Sequence, residues 1–212
     1  MVDERTAVYL SSLDIGNSQL LNEIEKEAIE TFVPIIGRQM QNLLKFLLQL
    51  TKPRRILEIG TAIGFSALFM LEYGDKEACI TTIEKYEKRI PIARENFKKA
   101  GKESQICLLE GDGEEILKGL TGEFDFIFMD AAKGQYIRFL DGALRLLKTG
   151  GLLISDNVLQ GGDMIQSRFA VTRRNRTIHS RMREYLYELT HNEMLQTTIL
   201  PIGDGVALCV KR

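Results

Sequence analysis

Residues 55–67 read Arg-Ile-Leu-Glu-Ile-Gly-Thr-Ala-Ile-Gly-Phe-Ser-Ala. Ile56, Leu57 and Ile59 form a short apolar run that stops at Gly60, and a helical pattern starts near Gly64. An apolar run of strand length, a glycine and a helical start together predict a buried strand turning into a helix. Gly60 lets the chain turn sharply and lets a ligand approach the backbone. The first amides of the following helix favour a polar or anionic group. Glu58 lies inside the run, near its carboxyl end, and a buried carboxylate is costly unless something pairs with it. The spacing is Gly-x-x-x-Gly; a dinucleotide fingerprint needs G-x-G-x-x-G and a phosphate loop needs G-K-S/T, and neither is present. On this stretch alone, a crossover that binds nothing stays open.

From Arg55 onward strands and helices alternate. The pattern predicts strands at 55–60, 78–84, 106–112, 124–131 and 151–157, and helices at 64–74, 86–100, 113–120 and 135–147. Such alternation implies a parallel sheet covered on both faces. Right-handed crossovers then bring every strand's carboxyl end to one rim, where ligands bind in sheets of this kind. The polar residues that interrupt the apolar pattern fall there: Glu58, Glu84, Asp112, Asp130, Asp156 and Asn157. A helix is predicted from about Gln166 to Thr190, then strands at 195–202 and 205–211 joined by Ile202-Gly203-Asp204-Gly205. Asp-Gly between apolar runs signals an antiparallel hairpin. Residues 3–50 read as helices: Asn17 or Ser18 is a candidate cap, Pro34 interrupts the pattern, and Met40, Leu43, Leu44, Leu47 and Leu48 form an apolar stripe. With no internal repeat or linker, residues 1–212 are expected to be one domain, a helical addition over 1–50 and a core over 51–212.

The 212 residues are 44% hydrophobic and 27% charged, a globular composition. No apolar run reaches membrane-spanning length. Met-Val-Asp-Glu-Arg-Thr at the N-terminus lacks the order of a signal peptide. Cys79, Cys107 and Cys209 are far apart in apolar runs and read as buried thiols, not as a metal knuckle or disulfide framework. A cytoplasmic protein with no membrane partner is the expectation. The formal net charge of −1 gives no global pull toward nucleic acid, so any basic surface must be local.

Glu84 ends Ile80-Thr81-Thr82-Ile83-Glu84. An acid about 20 residues past a glycine turn can accept from both ribose hydroxyls of a nucleoside; a plain helix-capping role is the alternative. In Leu109-Glu110-Gly111-Asp112-Gly113 the glycines allow an adenine to approach and Asp112 can accept from its amine, although Gly and Asp also suit an ordinary turn. The most specific pair is Phe126-Ile127-Phe128-Met129-Asp130-Ala131-Ala132-Lys133-Gly134-Gln135-Tyr136 with Leu153-Ile154-Ser155-Asp156-Asn157-Val158. Adjacent parallel strands would bring Asp130, Asp156 and Asn157 together. Two carboxylates and an amide oxygen, without His or Cys, suit a hard cation such as Mg²⁺ with positions left for substrate oxygens. The alternative is two unrelated strand-end acids with Asn157 capping a turn.

The Glu-x-Gly-x-x-x-Gly run resembles the first motif of class I S-adenosylmethionine-dependent methyltransferases. With Met129 to Tyr136 and Ser155 to Val158, it resembles the Mg²⁺-dependent catechol-type (caffeoyl-CoA/catechol) O-methyltransferases over nearly the whole chain. That resemblance implies an α/β, Rossmann-like class I methyltransferase fold: a mostly parallel seven-stranded sheet, helices on both faces and an antiparallel C-terminal hairpin. It implies Asp130, Asp156 and Asn157 as ligands of Mg²⁺, and Lys133 as a base near the acceptor hydroxyl with Asp130 beside it. It implies Met40, Ser66, Glu84, Asp112, Gly113 and Asp130 around S-adenosylmethionine, next to Glu58 and Gly60 of the glycine motif. Met40 as core filler and Lys133 as a solvated lysine are the plainer readings. A homodimer is expected.

The segment Gln166 to Arg183 carries six arginines, among them Arg168, Arg173, Arg174 and Arg176, and no acid lies between Asp163 and Glu184. Arginines can bind phosphates bidentately; a solvated helix face is the alternative. This run resembles the bacterial tRNA 5-hydroxyuridine methyltransferases, which implies a tRNA anticodon stem-loop as partner and the wobble 5-hydroxyuridine as acceptor. Its 5-hydroxyl and 4-carbonyl are adjacent oxygens, as in a catechol, and a loop base is open to recognition. A small catechol or phenol as acceptor is the rival reading. A nucleotide-sensing protein without turnover is the other, against which Asp130, Lys133, Asp156 and Asn157 argue. His179 and His191 are isolated and receive no role.

Overall fold

The computed structural model describes residues 4–212; the helical reading of residue 3 and the reading of residues 1–3 as lacking a leader lie outside them. Seven strands form one sheet: β1 Arg55–Ile59, β2 Cys79–Glu84, β3 Ile106–Glu110, β4 Phe124–Met129, β5 Leu147–Ser155, β6 Leu195–Leu200 and β7 Val206–Lys211. Their spatial order is β3-β2-β1-β4-β5-β7-β6. The first five are parallel, and β7 lies antiparallel between β5 and β6. The mostly parallel sheet and its C-terminal hairpin are therefore as the sequence predicts.

Central β1 is buried from Ile56 to Ile59, which is why it reads as an unbroken apolar run. Successive residues feed opposite layers. Ile56, Phe126, Phe128 and Ile154 pack in one core with the N-terminal helices α2 Gln19–Glu30 and α3 Arg38–Thr51 and with α4 Phe65–Tyr73 and α5 Ile90–Lys99. Leu57, Ile127, Met129 and Leu153 pack in the other, beneath α6 Gly113–Gly119, α7 Tyr136–Leu146 and α8 Arg176–His191. A further helix, α1 Glu4–Ser12, precedes them. Ser18, one of the two candidate caps, starts α2 by accepting from the Leu21 amide at 3.4 Å. Among the described residues no helix is long and apolar enough to cross a membrane.

Register brings the rim together. Ile59 stands opposite Ile83 and Met129, and Met129 opposite Ser155. The ladder runs one residue past the strands: Gly60 donates to Ile83 O at 2.9 Å, Asp130 to Ile59 O at 3.0 Å and Asp156 to Met129 O at 3.0 Å. Gly60, Asp130 and Asp156 are thus fixed by main-chain bonds at one edge of the sheet.

Three expectations are corrected. The helix predicted over 166–190 starts only at Arg176; 3₁₀ turns occupy Gln160–Ile165 and Arg173–Asn175, with irregular chain between them. Arg176 Nε donates to Val171 O at 3.3 Å, its Nη2 to Phe169 O at 3.4 Å, and His179 Nε2 bonds Gln166 O at 3.2 Å. Side chains of α8 satisfy carbonyls there that a continuous helix would satisfy internally. Second, Cys79 and Cys107 are exposed and only Cys209 is buried, because Cys79 opens its strand and β3 is an edge strand. Third, β5 begins at Leu147, not near 151, since a bulge lets Leu147 pair with Phe124 before the regular register resumes at Leu152.

Candidate active site

A cleft of about 1050 Å³ opens over the carboxyl ends of β1, β2 and β4. Its wall includes Gly60, Ser66, Glu84, Asp112, Gly113, Asp130, Lys133 and Asn157. Gly60 has φ +96°, and a Cβ there would collide with the Asp130 carbonyl. Glycine is what lets the first and fourth strand ends close up beneath the cleft. At Gly113 a Cβ would lie 3.1 Å from the Phe139 ring, so this wall too is kept thin.

The Glu84 carboxylate is the hub of the side of the cleft formed by β1 and β2. It accepts from the amides of Ala62 at 2.8 Å, Lys85 at 2.9 Å and Tyr86 at 2.7 Å, tying the loop after β1 to the one after β2. Glu84 does not cap a helix, since α5 starts at Ile90 behind Arg89; three loop donors fix its orientation, and a carboxylate has further lone pairs for hydroxyl groups. Asp112 caps α6 by accepting from the Glu114 amide at 3.0 Å and pairs with Lys85 at 2.7 Å. The Lys85 ammonium is the main reason its carboxyl lies below the usual range.

Met40 and Glu58 do not line the cleft. Met40 is 4% exposed in the core shared with α2 and β1, the plainer role read from its helical stripe. Glu58 is completely buried, and burial pushes its carboxyl up to about 7, with the Ser66, Thr61 and Thr82 hydroxyls pulling the other way. The Thr82 hydroxyl donates to Glu58 Oε2, whereas Glu58 Oε1 and Thr61 Oγ1 have no partner at hydrogen-bond geometry.

Across the cleft, Asp130, Asp156 and Asn157 converge. Asn157 Nδ2 donates to Asp130 Oδ1 at 3.3 Å, and the Asn157 amide donates to Asp156 Oδ1 at 2.7 Å. Asn157 has φ +58°, a left-handed conformation that Asn tolerates well. Burial first pushes both carboxyls up, and Asp130 and Asp204 raise Asp156 further, while Lys133 pulls both back. Oxygen donors with excess negative charge and a single nearby lysine fit a hard divalent cation. Among the described residues, no three of His, Cys, Asp and Glu converge, so the donor set is these two acids and one amide.

Several residues beside this set went unassigned in the sequence. Tyr136, fully buried, donates its hydroxyl to Asp156 O at 2.9 Å and lies 3.3 Å from Met129 O, bracing the two strand ends from beneath. Tyr185 stacks edge-on against Tyr136 at 5.4 Å and shares a 2.5 Å hydrogen bond with Ser155. The hairpin turn is a support as well. Leu159 donates to Asp204 O at 2.7 Å and Val158 to Gly205 O at 2.9 Å, and Asp204 lines the cleft. Asp-Gly was legible as a turn; nothing local in the sequence shows that the turn reaches the strand-five acids.

Arg168, Arg173 and Arg174 are exposed and make no carboxylate ion pair among the described residues. Arg176 differs: it is partly buried, and its guanidinium is engaged by the Val171 and Phe169 carbonyls. His179 is buried as a brace for the loop at Gln166.

The O-methyltransferase family model matches residues 10–212. A catechol O-methyltransferase of Niastella koreensis is 36% identical over 126 residues, 58% of this chain and 57% of that protein. Caffeoyl-CoA O-methyltransferase 1 of Eucalyptus globulus is 32% identical over 179 residues, covering 78% of this chain and 70% of its own. Among solved structures, a Podospora anserina methyltransferase bound to SAH (S-adenosylhomocysteine) superposes with a TM-score of 0.87 at 31% identity, covering 100% of this chain and 97% of that one. The sheet order, the rim acids and a match of nearly full length agree, and the chain belongs to the O-methyltransferase family.

Proposed function

We propose that this protein is an S-adenosylmethionine- and Mg²⁺-dependent methyltransferase that converts 5-hydroxyuridine at the tRNA wobble position to 5-methoxyuridine. The observation that carries the substrate is the arginine segment: Arg168, Arg173 and Arg174 are exposed, without acidic partners among the described residues, and Arg173 and Arg174 directly precede Asn175, which lines the smaller cavity beside Lys133. An anticodon stem-loop presents phosphates for such groups and an unstacked base for the cleft.

S-adenosylmethionine is supported by the Gly60 and Gly113 wall and by Glu84, with the SAH-bound relative as precedent. Glu84 would take the ribose hydroxyls, and Asp112 the adenine side. Asp130, Asp156 and Asn157 would hold Mg²⁺. When bound, the ion lowers the pKa of an acceptor hydroxyl and orients adjacent oxygens. Lys133 would receive the hydroxyl proton at Nζ, as a general base beside Asp130. A homodimer belongs to the proposal, supported by the apolar residues Val8, Tyr9, Leu10, Leu13 and Ile15, from 51% to 99% exposed, which a second copy would cover.

The test is purified protein with S-adenosylmethionine and Mg²⁺ on hydroxyuridine-containing tRNA, read by nucleoside mass spectrometry, beside turnover of 1,2-dihydroxybenzene. Formation of 5-methoxyuridine is expected. The names of the relatives favour the second reading, a small catechol as acceptor; turnover of the catechol with untouched tRNA would establish it.

A further inference from the structure

The large cleft does not end at Asp130. At Lys133 and Asp204 it meets a smaller cavity of about 380 Å³, whose remaining wall is Gln160, Gly161, Asp163, Asn175 and Ile178. Only Ile178 among these is an apolar side chain. A benzene ring recovers its lost hydration where apolar or aromatic groups replace water. A polar wall recovers its own only from a guest that carries matching donors and acceptors.

Gln160 lines this wall, and its amide Nε2 is closed off from the cavity and has no acceptor. Gln160 also holds φ +50°, followed by Gly161 at +61° and Gly162 at +96°. A non-glycine residue keeps such a conformation where its surroundings impose it. Here Leu159 is anchored to Asp204 O at 2.7 Å, and the missing side chain of Gly205 makes room for the Leu159 side chain. On the same wall, Asp163 brings an acceptor.

Resting on the uridine reading above, we infer that this cavity is the acceptor subsite and that Gln160 and Asp163 read the edge of a pyrimidine-2,4-dione. With the 5-hydroxyl and 4-carbonyl turned toward Asp130, Asp156 and Asn157, the ring's remaining polar groups are the N3–H and the 2-carbonyl. Asp163 accepts from the N3–H, and the Gln160 amide, turned from its closed-off position into the cavity, donates to a ring carbonyl. A 1,2-dihydroxybenzene has neither group and leaves both wall residues unpaired. The polar wall thereby selects for an imide, a discrimination stronger than a purely apolar pocket achieves.

The experiment uses two RNA stem-loops, one with 5-hydroxyuridine and one with its N3-methyl derivative, and 1,2-dihydroxybenzene as a third acceptor. Wild type is expected to favour the first stem-loop by about tenfold or more in kcat/KM. Asp163→Ala should shrink that preference to about twofold. Gln160→Glu keeps the side-chain shape and removes the donor; KM for the first stem-loop should rise about tenfold with kcat little changed. Unchanged melting temperatures certify the variants' folds. Equal use of both stem-loops by wild type, or an undiminished preference in Asp163→Ala, overturns the inference and leaves the tRNA activity standing. No methylation of either stem-loop by a protein that turns over 1,2-dihydroxybenzene overturns the uridine reading itself, and this inference with it.

Discussion

The rim at Asp130 and Asp156 and the segment from Gln160 to Arg176 meet at Lys133 and Asp204, yet they are held by different means. Main-chain ladders fix the rim: Asp130 donates to Ile59 O and Asp156 to Met129 O, both at 3.0 Å. The segment is tied down by single side chains reaching back from α8, Arg176 to Val171 and Phe169 and His179 to Gln166. The rim carries the groups suited to methyl transfer, and the segment carries those suited to choosing an acceptor. On the proposal above, chemistry would sit on the rigid part and selection on the part easiest to vary.

If that division is right, damage at the rim costs the most. Asp156→Ala should lower kcat on any acceptor by about a thousandfold or more, because on this proposal it removes a ligand of the ion that would activate the hydroxyl. Fold is expected to survive, since the backbone bonds of Asp156 do not need its carboxylate. EDTA should abolish turnover and Mg²⁺ or Mn²⁺ restore it. Full activity in EDTA would remove the metal from the proposal and with it the division itself.

The next effect is on stability and reaches the layer beneath the rim. Glu58 has its carboxyl at about 7 against 4.5 unperturbed. The folded chain therefore holds a proton that the unfolded chain releases. Its contribution is fully present below about pH 4.5 and is lost as pH rises through about 7, a total of about 3 kcal/mol. Asp130 and Asp156 are raised in the same direction, but wild type and Glu58→Gln share them. Urea unfolding of both chains in EDTA at pH 5.5, 7 and 8.5 should show wild type falling behind the Gln variant as pH rises. A pH-independent gap would mean that Glu58 stays ionised in the folded state.

These two sites also show how far the sequence could be read. The apolar runs and the register of parallel strands are local or nearly local properties, so the sheet, its order of layers and the convergence of Asp130, Asp156 and Asn157 were legible. Glu58 was legible as an anomaly, but whether it faces the cleft depends on a two-residue alternation at the strand end that the sequence leaves open. Met40 lies on an apolar stripe, and the stripe turned inward. The helix misread over 166–175 failed for a different reason: the bonds that hold this loop come from Arg176 and His179, later in the chain, which periodicity does not register. Asp204 and Tyr136 acquire their positions entirely from tertiary contacts.

On the cofactor side the expected effect is smaller. Glu84→Gln should weaken S-adenosylmethionine binding by about 1–3 kcal/mol in calorimetry, the range for leaving buried polar groups poorly paired. Part of that loss comes from the loops, since Ala62, Lys85 and Tyr86 share the carboxylate. Unchanged affinity would take Glu84 out of the cofactor site.

The smallest change tests the segment alone. Arg168, Arg173 and Arg174 are exposed, so their replacement by alanine should leave the melting temperature within a degree or two. Arg176 is left in place because it fastens the loop through Val171 and Phe169, and its loss would confuse phosphate binding with loop order. If the three arginines hold phosphates, the triple variant should bind tRNA about tenfold more weakly near physiological salt. Its log–log salt slope should fall in magnitude by about 2–3, since each lost contact no longer releases a counterion. A free catechol carries no phosphate, so the ratio of tRNA to catechol turnover should fall with the affinity. The salt series matters more than the single affinity. A solvated arginine face with no phosphate contacts predicts an unchanged slope whatever the affinity does, and that result would move substrate choice from the arginines to the cavity at Gln160 and Asp163.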